Sequence, residues 1–270
     1  MQRDKKRGCL KRISSKLFRY VSTLPAEIFV LIKQAVHYMV YRAVAWQATE
    51  RSADFITQDL PIKKIIYIKP DQLSSYLTRA KDSEEPLYGK ELFADRFVVS
   101  GDWDLNYRPI MPHYYNQNHK RAITFRSTFQ VFRDGVPYWE CDEYKKKIQG
   151  DCGYLRMSEI ELEEKYKNLR RLFEEIKAGG YKSQKELKKK RKHWDDEIRV
   201  AIGRDGQLYK IAESGNHRLA MALILNIDRV PVYVQGVHRQ WALKCQQKHG
   251  RHLLEAMNRE LERISLKKTP

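Results

Sequence analysis

The stretch EIRVAIGRDGQLYKIAESGNHRLAMALILNIDRVPVYV, from Glu197 to Val234, decides how the rest of the chain is read. Ile198, Val200 and Ile202 alternate with Arg199 and Ala201, the period of a strand. Arg204-Asp205-Gly206-Gln207 follows, and Asp-Gly supplies the positive φ of a tight hairpin, so Leu208-Tyr209-Lys210-Ile211 returns as a second strand. Glu213-Ser214-Gly215-Asn216 predicts a tight turn into a helix over His217–Leu225, closed at Asp228. Val230–Val234 is a further strand. Strands flanking a helix in this way predict a mixed α/β (α+β) domain.

A glycine turn that opens a helix with His-Arg has a physical use. The first helical N–H groups lack intrahelical partners, and the helix dipole places roughly half a positive charge there. Gly215 admits close backbone approach, and Asn216 stands at the helix start. His217 offers a donor or an acid/base group, and Arg218 a planar bidentate donor. Together they form a candidate phosphate site. The same pattern has a structural reading, since an arginine at a helix start often pairs with a local carboxylate.

Working outward, Lys63–Lys69 is a strand stopped by Pro70-Asp71. Residues 79–90 read as loop, and 105–120 as irregular. Val98–Asp104 is an apolar run ending in Gly101 and the acids Asp102 and Asp104. Ala122–Val131 fits a strand or a short helix. Asp134-Gly135 reads as a hairpin turn, and Glu140 and His238 as weaker site candidates. Ser158 with Glu161 is a capping box, followed by the stripe Leu162, Tyr166, Leu169, Phe173 and Ile176 and the helix stop Gly179-Gly180. Lys188, Lys189, Lys190, Arg191 and Lys192 form the densest basic run of the interior, either a solvated helix face or a contact for nucleic acid. After His238-Arg239-Gln240-Trp241 one charged helix is predicted, near Trp241–Ile264.

Composition sets the limits. The chain has 270 residues and 52 Lys+Arg against 34 Asp+Glu, a formal net charge of +18, with a mean hydropathy of −0.68. Apolar residues at 42% and aromatics at 11% exclude global disorder. Cys9, Cys141, Cys152 and Cys245 include no CxxC pair, which argues against a zinc ribbon or a secreted disulfide framework and for a cytoplasmic setting. Residues 1–19 carry eight Lys/Arg against the single acid Asp4. Pro25–Ala48 reads as a partly amphipathic helix with Ile28, Leu31, Ile32, Ala35, Met39 and Trp46 largely on one side. Glu27, Lys33, His37 and Arg42 interrupt it, so neither a transmembrane span nor a signal peptide is expected. A packed helix behind a solvated tail, an anionic lipid surface and a nucleic-acid contact all fit this segment.

The hairpin, ESGNHRLAMALIL and DRVPVYV together resemble the nucleotide-binding core of the ParB/sulfiredoxin superfamily. Its signature is a Gly-x-His/Arg-Arg turn opening a helix with an early Ala. IIYIKPDQL is similar to that family's first strand and following helix start, and YKNLRRLFEEIKAGGY to the helix that ends in Gly before the sheet continues. GDWD (101–104), DGVPYWE (134–140), GYKSQKEL (180–187) and GNHRL (215–219) resemble a group of ParB-like proteins of uncharacterised role. The likeness is scattered over Ile62 to Trp241, about two thirds of the chain. It departs at Ser214, where the family often has Asp, and at Asn216, where sulfiredoxins place a catalytic Cys, so sulfinic-acid reduction is not implied. Too few residues follow Trp241 for ParB's DNA-binding and dimerisation parts, so ParB-style partitioning is not expected.

The resemblance implies a ParB/sulfiredoxin-like mixed sheet with helical additions at both ends. The basic tail and first helix would be 1–60, the core 61–242 with a long insertion near 79–157, and the charged C-terminal helix 243–270. It also implies a nucleotide, ATP or CTP, bound at Gly215, Asn216, His217 and Arg218. Phosphoryl transfer would use Mg²⁺ on Asp102 and Asp104, with Glu213 as base and His217 beside it. From a different class, a DNA- or RNA-associated protein that uses nucleotide as a switch, or not at all, fits the +18 charge. A scaffold that has kept the fold without the chemistry is the third reading.

Overall fold

One mixed sheet organises the molecule, and its strands in chain order are β1 (Ile65–Ile68), β2 (Ser75–Leu77), β3 (Val98–Val99), β4 (Tyr107–Pro109), β5 (Ile198–Ile202), β6 (Leu208–Lys210) and β7 (Val230–His238). The computed structural model describes residues 56–58, 60, 62–80, 83–187, 197–250 and 252–266, all within the compact unit Ala48–Pro270. The basic tail, the Pro25–Ala48 segment and the run Lys188–Lys192 lie outside the described residues.

The strand order is β1-β7-β5-β6-β2-β4, with β3 also paired to β7. The Asp-Gly hairpin forms as the sequence predicts. Val200, Ala201 and Ile202 of β5 pair antiparallel with Lys210, Tyr209 and Leu208 of β6, and Gly206 takes a φ of 91° at the turn. β7 runs parallel to β5 and antiparallel to β1, and β2 runs parallel to β6. β5 is central, and Ile198, Val200, Ala201 and Ile202 are fully buried.

The helices are α1 (Gly89–Leu92), α2 (Lys120–Phe132), α3 (Asp142–Gln149), α4 (Glu159–Gly179), α5 (Asn216–Ile224), α6 (Arg239–His249) and α7 (Leu253–Leu266). α2 packs on α5 and α3, and α7 on β1 and α6. The capping box is present: Ser158 Oγ accepts from Glu161 N at 3.3 Å, and Glu161 Oε2 accepts from Ser158 N at 2.7 Å. Leu162, Tyr166, Phe173 and Ile176 are buried along α4, as their spacing predicts. Cys141, Cys152 and Cys245 are free thiols.

Of the two readings open for Ala122–Val131, the helix holds: the stretch lies in α2, whose apolar residues spread around its circumference because neighbours cover it on two sides. Several other local readings are corrected. Asp134-Gly135 ends that helix rather than turning a hairpin: Asp134 N donates to Phe129 O, and Gly135 takes a φ of 73°. Residues 105–120 include β4 and a helical turn at Ile110–Tyr114. The single C-terminal helix is two, broken at Gly250 with a φ of 110°. Glu260 of α7 then binds His249 and Lys248 of α6 at 2.6 and 3.0 Å. Segments between 79 and 157 supply β3 and β4 to the sheet. Among the described residues, no helix is long and apolar enough to cross a membrane.

Candidate functional site

The turn into α5 is set by one glycine. Gly215 takes φ 73° and ψ 15°, and a Cβ there would stand 2.5 Å from Ile198 Cα and 2.8 Å from Ile198 N. Only glycine lets the turn lie against β5, so its close approach is to the protein's own strand. No side chain caps α5, and its first turn holds no acid. Asn216 is buried, donating from Nδ2 to Ala212 O at 3.2 Å and accepting at Oδ1 from Tyr114 Oη at 2.9 Å.

His217 and Arg218 leave this turn toward different partners. Arg218 Nη1 donates to Glu197 Oε2 at 3.2 Å, and Glu197 is fully buried. Gln184 N donates to Glu197 Oε1 at 2.5 Å, the Gln184 amide oxygen faces the guanidinium, and the Tyr181 ring lies 5.9 Å from it. Burial pushes the Glu197 carboxyl upward, and Gln184 and Arg218 offset this only in part. The structural reading of Arg218 therefore holds. Beside the guanidinium opens a cavity of about 440 Å³ walled by Leu172, Ile176, Ala178, Tyr181 and Leu187.

His217 Nδ1 lies 2.8 Å from Thr128 Oγ1. That hydroxyl gives its own proton to Thr124 O at 2.9 Å, so the imidazole donates from Nδ1 and a neutral ring leaves Nε2 bare. Nε2 faces Glu143 Oε2 at 3.6 Å. Glu143 is almost fully buried and accepts from Thr124 Oγ1 at 3.0 Å and Tyr166 Oη at 3.1 Å. Lys165 and Lys147 Nζ approach it at 2.7 and 3.5 Å. Burial opposes its charge, yet the imidazole and the two lysines hold the carboxyl well below the usual carboxylate range. Burial, with both lysines adding to it against the pull of Glu143, takes His217 down to about 4. Burial likewise brings Lys165 down to about 8. Perturbed groups gathered in this way mark a candidate site. The sequence does not single out Glu143, Lys147 or Lys165, because Glu143 and Lys147 read as an ordinary solvated i,i+4 pair.

The remaining acids are elsewhere. Asp104 is buried and accepts from Arg204 N at 2.7 Å, Nε at 3.0 Å and Nη2 at 2.7 Å. Asp102, 79% exposed, accepts from the same Nη2 at 2.7 Å. Burial raises the Asp104 carboxyl, but the Arg204 hydrogen bonds outweigh that and leave it lowered. His238 Nε2 donates to Gly101 O at 2.8 Å, and its Nδ1 accepts from Gln240 N at 3.1 Å. This group stands at the Ile202 end of β5, whereas Glu197 and Arg218 stand at the Ile198 end, ~13 Å away along the strand. The structure thus does not bring Asp102 and Asp104 to the start of α5. Glu213 accepts from Arg199 Nη1 at 2.7 Å and Lys90 N at 3.0 Å, so its carboxylate is also committed. Glu140 is exposed in the short turn Tyr138–Glu140. Among the described residues, no three or more His, Cys, Asp or Glu side chains gather as a metal site.

No protein-family model matches the chain, and neither the curated proteins nor the solved structures include a match to it.

Proposed function

We propose that the chain is a nucleotide-binding protein of the ParB/sulfiredoxin kind, holding ATP or CTP at the start of α5. The observation that carries this reading is a helix start without a side-chain cap, whose Arg218 pairs with the buried carboxylate of Glu197 and lines a cavity of about 440 Å³. Apolar walls of that size suit a nucleobase, and a helix start without a capping side chain suits phosphate oxygens. Mg²⁺ does not fit the residues present. Asp102 and Asp104 are tied to Arg204 at the other end of β5, and Glu213 is tied to Arg199. These acids are therefore not placed to hold Mg²⁺ for phosphoryl transfer, and the function is binding.

Arg218→Ala is a poor test, because it leaves Glu197 buried without its partner, a loss of ~3–5 kcal/mol. Ala178→Trp, from an exposed position at the cavity wall, fills the space instead. Thermal shift and calorimetry with ATP, ADP, CTP and GTP, with and without Mg²⁺, are expected to show saturable binding in the parent. Ala178→Trp should weaken it by about tenfold or more, since filling the pocket removes most of its contacts. Absence of binding, or undiminished affinity in the variant, overturns the reading.

The net charge of +18 favours a second reading, a DNA- or RNA-associated protein. Each phosphate contact adds about −0.9 to the log–log salt slope. Deleting residues 1–19 should flatten that slope if the basic tail carries the contacts.

A further inference from the structure

Aromatic side chains close a groove between the end of α2 and the middle of α4. Val131, Phe132, Tyr138, Tyr166, Lys167 and Arg170 line a space of about 160 Å³ there. Its walls are fixed before anything enters. Tyr138 stacks on Tyr166 with ring centres 5.0 Å apart and planes 17° apart, and Phe132 stacks on Phe173 at 4.7 Å. Tyr166 Oη donates to the buried Glu143 at 3.1 Å, which holds that ring in place. Trp139 stands at the rim, 53% exposed, with its ring centre 4.9 Å from that of Tyr138. Lys167 and Arg170 carry the charge of the lining, and among the described residues no acid lines the space. Lys167 is held only by Glu163, in an exposed pair along α4, a weak tie. Arg170 makes no hydrogen bond or ion pair among the described residues.

A space of this size takes one ring or one branched aliphatic side chain, since a cavity of about 150 Å³ lodges benzene. Rings already stacked on each other lose little freedom when a ligand enters. An exposed tryptophan beside tyrosine and arginine is also the composition of an interface's energetic centre. We propose that the groove docks a partner protein through an acidic peptide segment. The segment seats one aromatic or leucyl side chain against Phe132, Tyr138 and Tyr166, and sets a neighbouring carboxylate on Arg170. Charge complementarity selects this occupant: the lining is cationic, so an acid is matched there and a basic segment is repelled. Nucleic acid suits the surface less, because phosphates need a continuous cationic track. Asp134 neutralises Arg133, Glu163 faces Lys167, and the exposed Glu140 follows Trp139, so acids alternate with bases around the groove. The groove shares no residue with the Arg218 cavity and stands independently of the nucleotide reading.

Selection of random linear peptides on the full chain, followed by fluorescence anisotropy with the enriched peptide, tests it. Enriched sequences are expected to carry an aromatic residue or leucine with Asp or Glu close by. Arg170→Glu should weaken the peptide by about tenfold or more, because it turns attraction into repulsion. Trp139→Ala should weaken it by a similar factor, the effect of losing an interface anchor. Both positions are exposed, so both variants should melt as the parent does. Replacing the peptide's acids by amides should weaken binding to the parent and leave binding to Arg170→Gln unchanged. Ala178→Trp should bind the peptide as the parent does, so loss of nucleotide binding in that variant does not bear on this surface. The proposal falls if no peptide is enriched, if the enriched peptides lack acids, or if Arg170→Glu and Trp139→Ala bind as the parent does. A single-stranded oligonucleotide that displaces the peptide and loses affinity on Trp139→Ala would give the surface to nucleic acid instead. Self-association of the parent that Trp139→Ala abolishes would give it to a second copy of the chain.

Discussion

The two ends of β5 are built from the same parts and come out differently. Each has a closely packed glycine, a buried carboxylate and an arginine: Gly203, Asp104 and Arg204 at one end, Gly215, Glu197 and Arg218 at the other. Asp104 is held low, because Arg204 meets it with a backbone N–H and its guanidinium together. Glu197 is raised, because one guanidinium contact at 3.2 Å, one short N–H from Gln184 and a long hydrogen bond from Tyr181 Oη do not offset full burial. The number of charge-assisted hydrogen bonds sets the sign of the shift. The first end is self-satisfied and closes a hairpin. The second keeps an imperfectly satisfied pair beside a cavity and an uncapped helix, which is where a ligand has something to add.

The largest expected effect separates the two glycines. Gly215→Ala forces a Cβ into the left-handed region and against the Ile198 backbone at 2.5 Å. The conformational cost of ~1–2 kcal/mol and the overpacking cost of ~1–3 kcal/mol add to about 2–5 kcal/mol. Gly203 has no positive φ, and its Cβ would meet side chains rather than backbone, the Tyr209 ring at 2.7 Å and Asp104 Oδ2 at 3.2 Å. Gly203→Ala should therefore cost only ~1–3 kcal/mol. Urea unfolding of both variants checks the order, and a reversed order would break the comparison.

The carboxylates come next, and they differ in pH dependence. The folded Asp104 pKa is depressed, so its contribution is present above the unfolded Asp value of about 3.9 and is lost as pH falls toward the folded value. The folded Glu197 pKa is raised, so its contribution is full below the unfolded Glu value of about 4.3 and is lost as pH rises through the folded value. Asp104→Asn should cost ~2 kcal/mol at neutral pH, the worth of charge-assisted hydrogen bonds. It should also make the acid limb of the stability curve shallower. Glu197→Gln should cost less and make that limb steeper. Slopes that move in the same direction in both variants would show that the two pairs are not opposite in kind.

What was legible in the sequence follows the range of the interactions. Ser158 with Glu161, Gly179-Gly180 and Asp205-Gly206 act within a few residues, and each forms the element it predicts. Gly215 was legible as a turn, although its reason, the Ile198 backbone, was not. The site acids were misplaced because a carboxylate's partner is chosen by the fold. Nothing local tells that Arg204 takes Asp104 or that Arg199 takes Glu213. Glu143 was invisible for the same reason, since its partners come from α2, α3, α4 and α5.

The smallest expected effect isolates burial within one end. Asp102 and Asp104 share Arg204 Nη2, each at 2.7 Å, but their side chains are 79% and 2% exposed. An exposed ion pair gains little over solvation, because water screens it and long side chains lose freedom in forming it. A buried carboxylate without its charge loses hydrogen bonds that no water replaces. Asp102→Asn should therefore leave the urea midpoint within the scatter of repeat titrations at low and high salt alike, while Asp104→Asn shifts it clearly. The Arg204 fork holds in the first variant, because Asp104 and Gly101 O still receive it. A loss on Asp102→Asn comparable to that on Asp104→Asn would mean that the pair of acids, rather than the buried one, anchors the hairpin. In that event, burial would not be what distinguishes the two ends of β5.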